Sequence, residues 1–323
     1  MIINRCLIVF LMLFALSSQA GTILVIDSYH SDHPWVKSYT KGLKEKLGDL
    51  HELVFFQMDT KRLAESQYQN QADKAWALYN NISPQLVILA DDNAVKYMSD
   101  KLLTTDTPVV YLGVNDNPRS YKIADAKNFS GVLERPLLMR SMIMLKKFMP
   151  VSHVLLLLDQ SRTSDVLIQD VFKGKTSVQR ANVQIDVKSV REFESWKERV
   201  LKTKIEGYDA VFVGLYHTLV DANGLHVSED DVIKWTSQHT PVPSFGFWDF
   251  SVGKDKNVGG YVVFGYQEGQ LAGDIALDML QESGSRVRPT IGGRGQFIFS
   301  RSQLLKWGLV LPPSIHKSAT LVD

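Results

Sequence analysis

The stretch Thr22-Ile23-Leu24-Val25-Ile26-Asp27, followed by Ser28-Tyr29-His30-Ser31-Asp32-His33-Pro34-Trp35, sets the reading of the whole chain. A short aliphatic, β-branched run without polar alternation is what a strand buried on both faces requires, and such strands belong to parallel sheets. The polar segment after it leads into Pro34, suited to the first turn of a helix, and then into a helical pattern over 35–47. The same unit recurs further along. Strand-like runs lie at 53–57, 86–90, 109–112, 154–158, 183–187, 210–214 and 261–264. Helical patterns lie at 63–79, 93–103, 137–148, 165–176, 192–202, 229–238 and 267–281. Strand, helix, strand at this spacing gives right-handed βαβ units, hence an α/β protein with parallel sheets. A length of 323 residues suits two such lobes, and Pro150, just ahead of the 154–158 strand, marks the passage from the first to the second.

Composition removes several function classes. Lys+Arg 36 against Asp+Glu 35 leaves a net charge of +1, without the basic excess of a nucleic-acid binder, and 45% hydrophobic residues is not a disordered chain. The single cysteine builds neither a disulfide framework nor a Cys-rich zinc site. It lies in a leader-like segment: Arg5 gives a positive start, 6–16 form an apolar run too short to span a bilayer, and Ser18-Gln19-Ala20 ends in small residues. Residues 1–20 are therefore expected to be a secretory signal peptide, cleaved after Ala20, and the mature protein to be periplasmic. No later stretch approaches the roughly twenty apolar residues of a membrane helix.

In open parallel sheets ligands bind beyond the carboxyl ends of the strands. The segments there are polar and aromatic: Ser28, Tyr29, His30 and Trp35 after the first strand, Asp91, Asp92 and Asn93 after the third, and Asn115 after the fourth. The second half repeats this with Ser161, Tyr216, Trp248 and Asp249. Lobes facing each other would bring these loops to one cleft, with Tyr29, Trp35 and Trp248 as stacking walls. Asp91, Asp92 and Asp249 would pair with an ammonium, and Asn93, Asn115, Ser161 and Tyr216 would hydrogen-bond. Catalytic motifs fail by comparison. Gly174-Lys175-Thr176 lacks the leading glycine of a phosphate loop, Gln standing at 169, and no Gly-x-Ser-x-Gly elbow exists. His30 and His33 lack further metal ligands, and Asp221-Ala222-Asn223-Gly224 lacks calcium-loop spacing. The expectation is a binding protein, not an enzyme, with no cofactor, no metal and no nucleic-acid partner.

The succession Leu24-Val25-Ile26-Asp27-Ser28-Tyr29-His30, Pro34-Trp35, Asp91-Asp92-Asn93-Ala94, Pro108-Val109-Val110-Tyr111 and Gly113-Val114-Asn115 resembles the ABC transporter substrate-binding protein family of the type I periplasmic-binding fold. Ser130-Gly131-Val132-Leu133-Glu134, Gly246-Phe247-Trp248-Asp249, Gly259-Gly260-Tyr261, the 265–272 stretch and the 304–312 ending are similar to its second half. The resemblance implies two Rossmann-like lobes joined by a hinge near 131–134 and 259–265. One lobe is expected to comprise 21–132 plus about 262–290, the other 133–261 plus about 291–323. It implies capture of a small, amino-acid-like ligand and delivery to an ABC importer, and the excess of acidic over basic groups in the loops favours a cationic or zwitterionic one. The Ser-Tyr-His, Pro-Trp and Asp-Asp-Asn pieces also resemble the extracellular sensor domains of histidine kinases. The alternative is therefore a periplasmic ligand-sensing adaptor for a histidine kinase or cyclic-nucleotide enzyme, with membrane contact only through a partner.

Overall fold

The computed structural model describes residues 21–135, 137–281 and 287–323; the expected signal peptide, 1–20, lies outside the described residues. The first half runs β1 (Thr22–Asp27), α1 (Pro34–Leu47), β2 (Glu52–Gln57), α2 (Tyr68–Ile82), β3 (Leu86–Ala90), α3 (Asp91–Leu102), β4 (Val109–Val114) and β5 (Phe129–Leu133). The middle runs α4 (Leu138–Leu145), β6 (His153–Asp159), α5 (Arg162–Leu167), β7 (Ser177–Arg180), β8 (Val183–Val190), α6 (Phe193–Lys202), β9 (Ala210–Val213), α7 (Glu229–His239), β10 (Ser244–Gly246) and β11 (Gly259–Val262). The last part holds α8 (Gly265–Gln281), β12 (Thr290–Ile291), β13 (Gln296–Ser300), α9 (Arg301–Trp307), α10 (Pro313–His316) and β14 (Ala319–Val322).

Two sheets result. The first has the order β12-β5-β4-β3-β1-β2 and every pairing in it is parallel. Its apolar strands are buried on both faces: Ile23 and Val25 of β1 pack in one cluster with α1 and α8, while Leu24 and Ile26 pack in another with α2 and α3. The second sheet has the order β14-β13-β11-β10-β9-β6-β8-β7. Here the expectation of parallel strands is corrected at two places, β7 against β8 and β11 against β13. The first has a local cause: Ala181 and Asn182 both take positive φ, 50° and 59°, so a two-residue turn folds β7 back as a hairpin.

Other boundaries move for equally local reasons. The helix expected over 63–79 becomes a short 3-10 turn, Glu65–Gln67, and then α2. The one expected over 165–176 is α5 followed by a π turn, Ile168–Phe172, ended by the left-handed Lys173 and Gly174. β5, β7, β10, β12, β13 and β14 were not expected as strands; β10 is three residues long and β5 carries Ser130 and Gly131. Gly131 is required where it stands, since a Cβ there would lie 2.1 Å from the carbonyl oxygen of Tyr111 on β4.

The chain passes between the sheets after β5, returns after β11, and crosses again after β12. The return carries α8 against α1. Gly42 and Gly269 make this contact close, because a Cβ on either would meet a backbone oxygen of the other helix, Tyr266 at 2.2 Å or Tyr39 at 2.1 Å.

Candidate functional site

Each sheet has a point where the chain's order reverses, between β1 and β3 in the first and between β6 and β9 in the second. Adjacent strands there send their connections to opposite faces, which opens a crevice at the carboxyl ends. The two crevices face each other across a small chamber of about 20 Å³, so a solute larger than a water molecule enters it only as the walls part. The first sheet contributes Tyr29, His33 and Trp35 after β1, Lys61 after β2, Asp91 after β3, Asn115 after β4 and Glu134 after β5. The second contributes Thr163 on α5, Leu215 and His217 after β9, and Trp248 and Phe250 after β10.

Asp91 is the centre of the first wall. It opens α3 with φ 71°, a left-handed conformation that costs a non-glycine residue about 1–3 kcal/mol and that places its carboxylate over Gly113. Tyr29 Oη donates to its Oδ1 at 2.8 Å and Trp35 Nε1 donates to its Oδ2 at 3.0 Å. Glu134 is the second acid. Trp248 Nε1, from the other sheet, donates to its Oε1 at 2.6 Å, and Asn115 Nδ2 donates to its Oε2 at 3.4 Å. Burial, with neighbouring carboxylates in support, raises both acids: Asp91 stands well above the usual carboxylate range and Glu134 is pushed up to about 8. Behind them Glu268, on α8, is raised to about 8 by burial and by Asp91.

His33 caps α1, its Nδ1 accepting from the Trp35 backbone N–H at 3.3 Å. Its ring lies 4.8 Å from that of His217, which stacks on Tyr216 at 4.2 Å. Burial first, then neighbouring cationic groups, holds both imidazoles well below their ordinary pKa, so they are neutral at pH 7. Lys61 Nζ sits 4.6 Å above the Tyr29 ring. Outside this chamber a wider cleft of about 690 Å³ shares Lys61 and Thr163 with it and is lined by Arg62, Lys96, Arg162 and Arg191 against Glu65 and Asp165. Arg162, at the edge of this cleft, reaches Asp116 in the loop after β4 at 3.0 Å, a second bond between the two halves.

Neither protein-family models nor curated proteins give a match to the sequence. Solved structures do. An ABC domain in complex with L-Trp from Streptococcus pneumonia superposes with TM-score 0.69 at 16% identity, covering 94% of this chain and 100% of that one. The ligand-free, open form of a substrate binding protein with adhesive properties from Clostridium difficile gives 0.64 at 14% identity, covering 94% and 100%. A carbohydrate transporter solute binding protein from Agrobacterium radiobacter, in complex with D-arabinose, gives 0.55 at 14% identity, covering 94% and 99%. The chain has the type I periplasmic-binding fold.

Within that fold, the expected site residues separate into two groups. Tyr29, Trp35, Asp91, Asn115 and Trp248 line the cavity together. The others hold the walls in place. Ser28 Oγ donates to the Ala90 carbonyl at 2.6 Å and accepts from the Ala94 N–H at 2.8 Å, pinning α3 to β1. Asp92, expected to meet an ammonium, instead accepts from the backbone of Asn115 and Asp116 and from Tyr121 Oη, because α3 turns it toward the loop after β4. Asn93 donates to Thr60 Oγ1 at 2.9 Å on the wall of the outer cleft. Ser161 caps α5, also on that wall, and donates to Asp159 at 2.7 Å.

Tyr216 packs into the core under α6 and α7, since its side chain alternates away from the cavity that Leu215 and His217 face. His30 lies between Asp59 and Glu229. Asp249 is half-buried, raised to about 6 by the loss of solvent around its carboxyl, and opens a 3-10 turn beside Phe250. Lys61 and Glu134 were not expected as site residues. Both follow strands: Lys61 stands in the loop after β2, whose end at Gln57 was expected, and Glu134 directly follows β5, which was not expected as a strand. Among the described residues no cluster of His, Cys, Asp or Glu is arranged to hold a metal, and no helix is long and apolar enough to cross a membrane.

Proposed function

We propose that this protein captures a small solute bearing a cationic group, amino-acid-like in size, by closing two lobes over it. Delivery would be to an ABC importer from the periplasm. The lobes are 21–132 with about 262–290, and 133–261 with about 291–323, hinged near 131–134 and 259–265. One observation carries the reading: two buried carboxyl groups, Asp91 and Glu134, stand in an aromatic chamber contributed by both sheets. Buried acids held this far above their usual range gain strongly from a positive charge brought beside them, and Tyr29, Trp35, Trp248 and Phe250 give such a charge or an attached ring faces to lie on.

Neighbours of the same fold bind small solutes, L-Trp in one and D-arabinose in another, which supports the class of role. The test is calorimetric titration of residues 21–323 with amino acids, polyamines and sugars. An amine-bearing compound should bind in the micromolar range or tighter, while uncharged sugars give no heat. Sugar binding without amine binding would overturn the reading. Transport, as opposed to docking on a membrane sensor, is tested by cross-linking the ligand-loaded protein in cells. Recovery of a sensor kinase in place of a permease would move the assignment to signalling.

A further inference from the structure

Three groups on the Lys61 side of the chamber have hydrogen-bonding capacity that the protein leaves unused. Lys61 is 7% exposed, and its ammonium forms no ion pair with a described residue; only the Tyr29 ring lies beneath it. His33 has its Nδ1 committed to accepting the helix-capping bond, so the neutral ring must carry its proton on Nε2, and that buried nitrogen has no partner. His217 is buried with both ring nitrogens unpartnered. A buried donor without a partner costs about 1–3 kcal/mol, so two buried imidazoles on one chamber, beside an ammonium with no ion-pair partner, mark a place where something else supplies the acceptor. All three line the chamber.

Tyr29 stands between the two sides, its hydroxyl on Asp91 and its ring face under Lys61. With both imidazoles neutral, the local charge is the single ammonium of Lys61. One positive charge with two neutral N–H donors matches a carboxylate in charge and size and leaves a phosphate dianion under-neutralised. Resting on the solute-capture reading above, we infer that Lys61, His33 and His217 form a receptor for a carboxylate on the ligand. The ligand is then a zwitterion whose ammonium meets Asp91 and Glu134 while its carboxylate meets Lys61 and the two imidazole N–H groups.

The experiment titrates residues 21–323 with the twenty amino acids and then with the decarboxylated amine of the tightest binder. The amine should bind at least tenfold more weakly. Lys61→Met, which keeps the aliphatic stem over Tyr29, should erase that difference by weakening the amino acid at least tenfold and leaving the amine within twofold. His33→Asn keeps an acceptor for the Trp35 N–H and removes the Nε2–H, so it should weaken the amino acid selectively even where the lysine variant fails to fold. An amine binding as tightly as its amino acid, or variants that weaken both equally, overturns the receptor while leaving solute capture standing. Binding of amines or polyamines with no amino acid bound does the same. Silence from every amino acid and amine removes the capture reading and this inference with it.

Discussion

Trp248→Phe tests whether the bond between the sheets governs ligand capture. The indole N–H is the part of Trp248 that reaches the opposite wall, donating to Glu134 Oε1 at 2.6 Å, while the ring packs against Phe247 and Phe250. Phenylalanine keeps much of that packing and deletes the donor. With Glu134 raised to about 8, the bond near neutral pH joins an N–H to a protonated acid, and losing it leaves a buried oxygen unsatisfied, at a cost of about 1–3 kcal/mol. The cost falls only on the conformation in which the sheets are together. The closed-to-open ratio therefore drops by roughly 5- to 150-fold, and apparent affinity for a ligand that needs both walls drops by up to that factor as the open form becomes dominant.

Calorimetry reads the dissociation constant, and small-angle scattering of the ligand-free protein reads the accompanying expansion. Trp196→Phe is the control. It too loses an indole bond to a buried oxygen, Thr236 Oγ1 at 2.9 Å, but inside the second sheet's own core, so it should lower Tm and leave the dissociation constant alone. A Trp248→Phe protein with unchanged affinity and an unchanged scattering curve would refute the argument. So would equal affinity losses in both variants.

Three further outcomes are expected. Asp91→Asn keeps an acceptor for one of the two donors on that side chain but can no longer ionise beside a cation, and should weaken a cationic ligand by roughly tenfold or more while the second donor, left unpaired, lowers Tm; unchanged affinity would remove Asp91 as the ammonium's partner. Stability should peak on the acid side of neutrality. Asp27, Glu134 and Glu268 are raised to about 7, 8 and 8, so between pH 4.5 and 8 the unfolded chain gives up protons that the folded one keeps, and the stability these acids contribute is lost as pH rises across that window. His33 and His217 are lowered and oppose this: below about 6.5 the unfolded chain takes up protons the folded one refuses, so the imidazoles' contribution is lost as pH drops, and above that pH the acids act unopposed. A Tm that climbs steadily to pH 8.5 would contradict the buried acids. Gly269→Leu should cost about 1–3 kcal/mol by forcing α8 off Tyr39, read as a lower denaturant midpoint with Kd for any bound solute little changed.

The fold was legible where burial on both faces removes polar alternation, as in β1 and β3, whose expected limits coincide with the observed ones. It was not legible in β10, where three residues carry too little pattern, or in β5, where Ser130 and Gly131 break the apolar run that five-residue β3 keeps. The chamber followed the same division. Tyr29, Trp35, Asp91, Asn115 and Trp248 stand just past strand ends, but position past a strand does not say which way a side chain turns. Leu215 and His217 face the chamber and Tyr216 between them does not, an alternation that only the backbone path resolves. Glu134 was read as part of a hinge because β5 had not been recognised as a strand.

The placement of α8 on α1 has a consequence for how the chain is made. β1 through β5 leave the ribosome in one run, but the helix that covers the Tyr39, Leu43 and Leu47 face of α1 follows only after residues 134–264 have been synthesised. At ordinary translation speeds that delay is on the order of ten seconds. During it the front half is an unfinished layer with an apolar stripe bare to its surroundings, open to a chaperone and unable to lock. A chain cut short ahead of residue 265 would stay in that condition, so the quality of the first sheet is decided by a helix that arrives near the end.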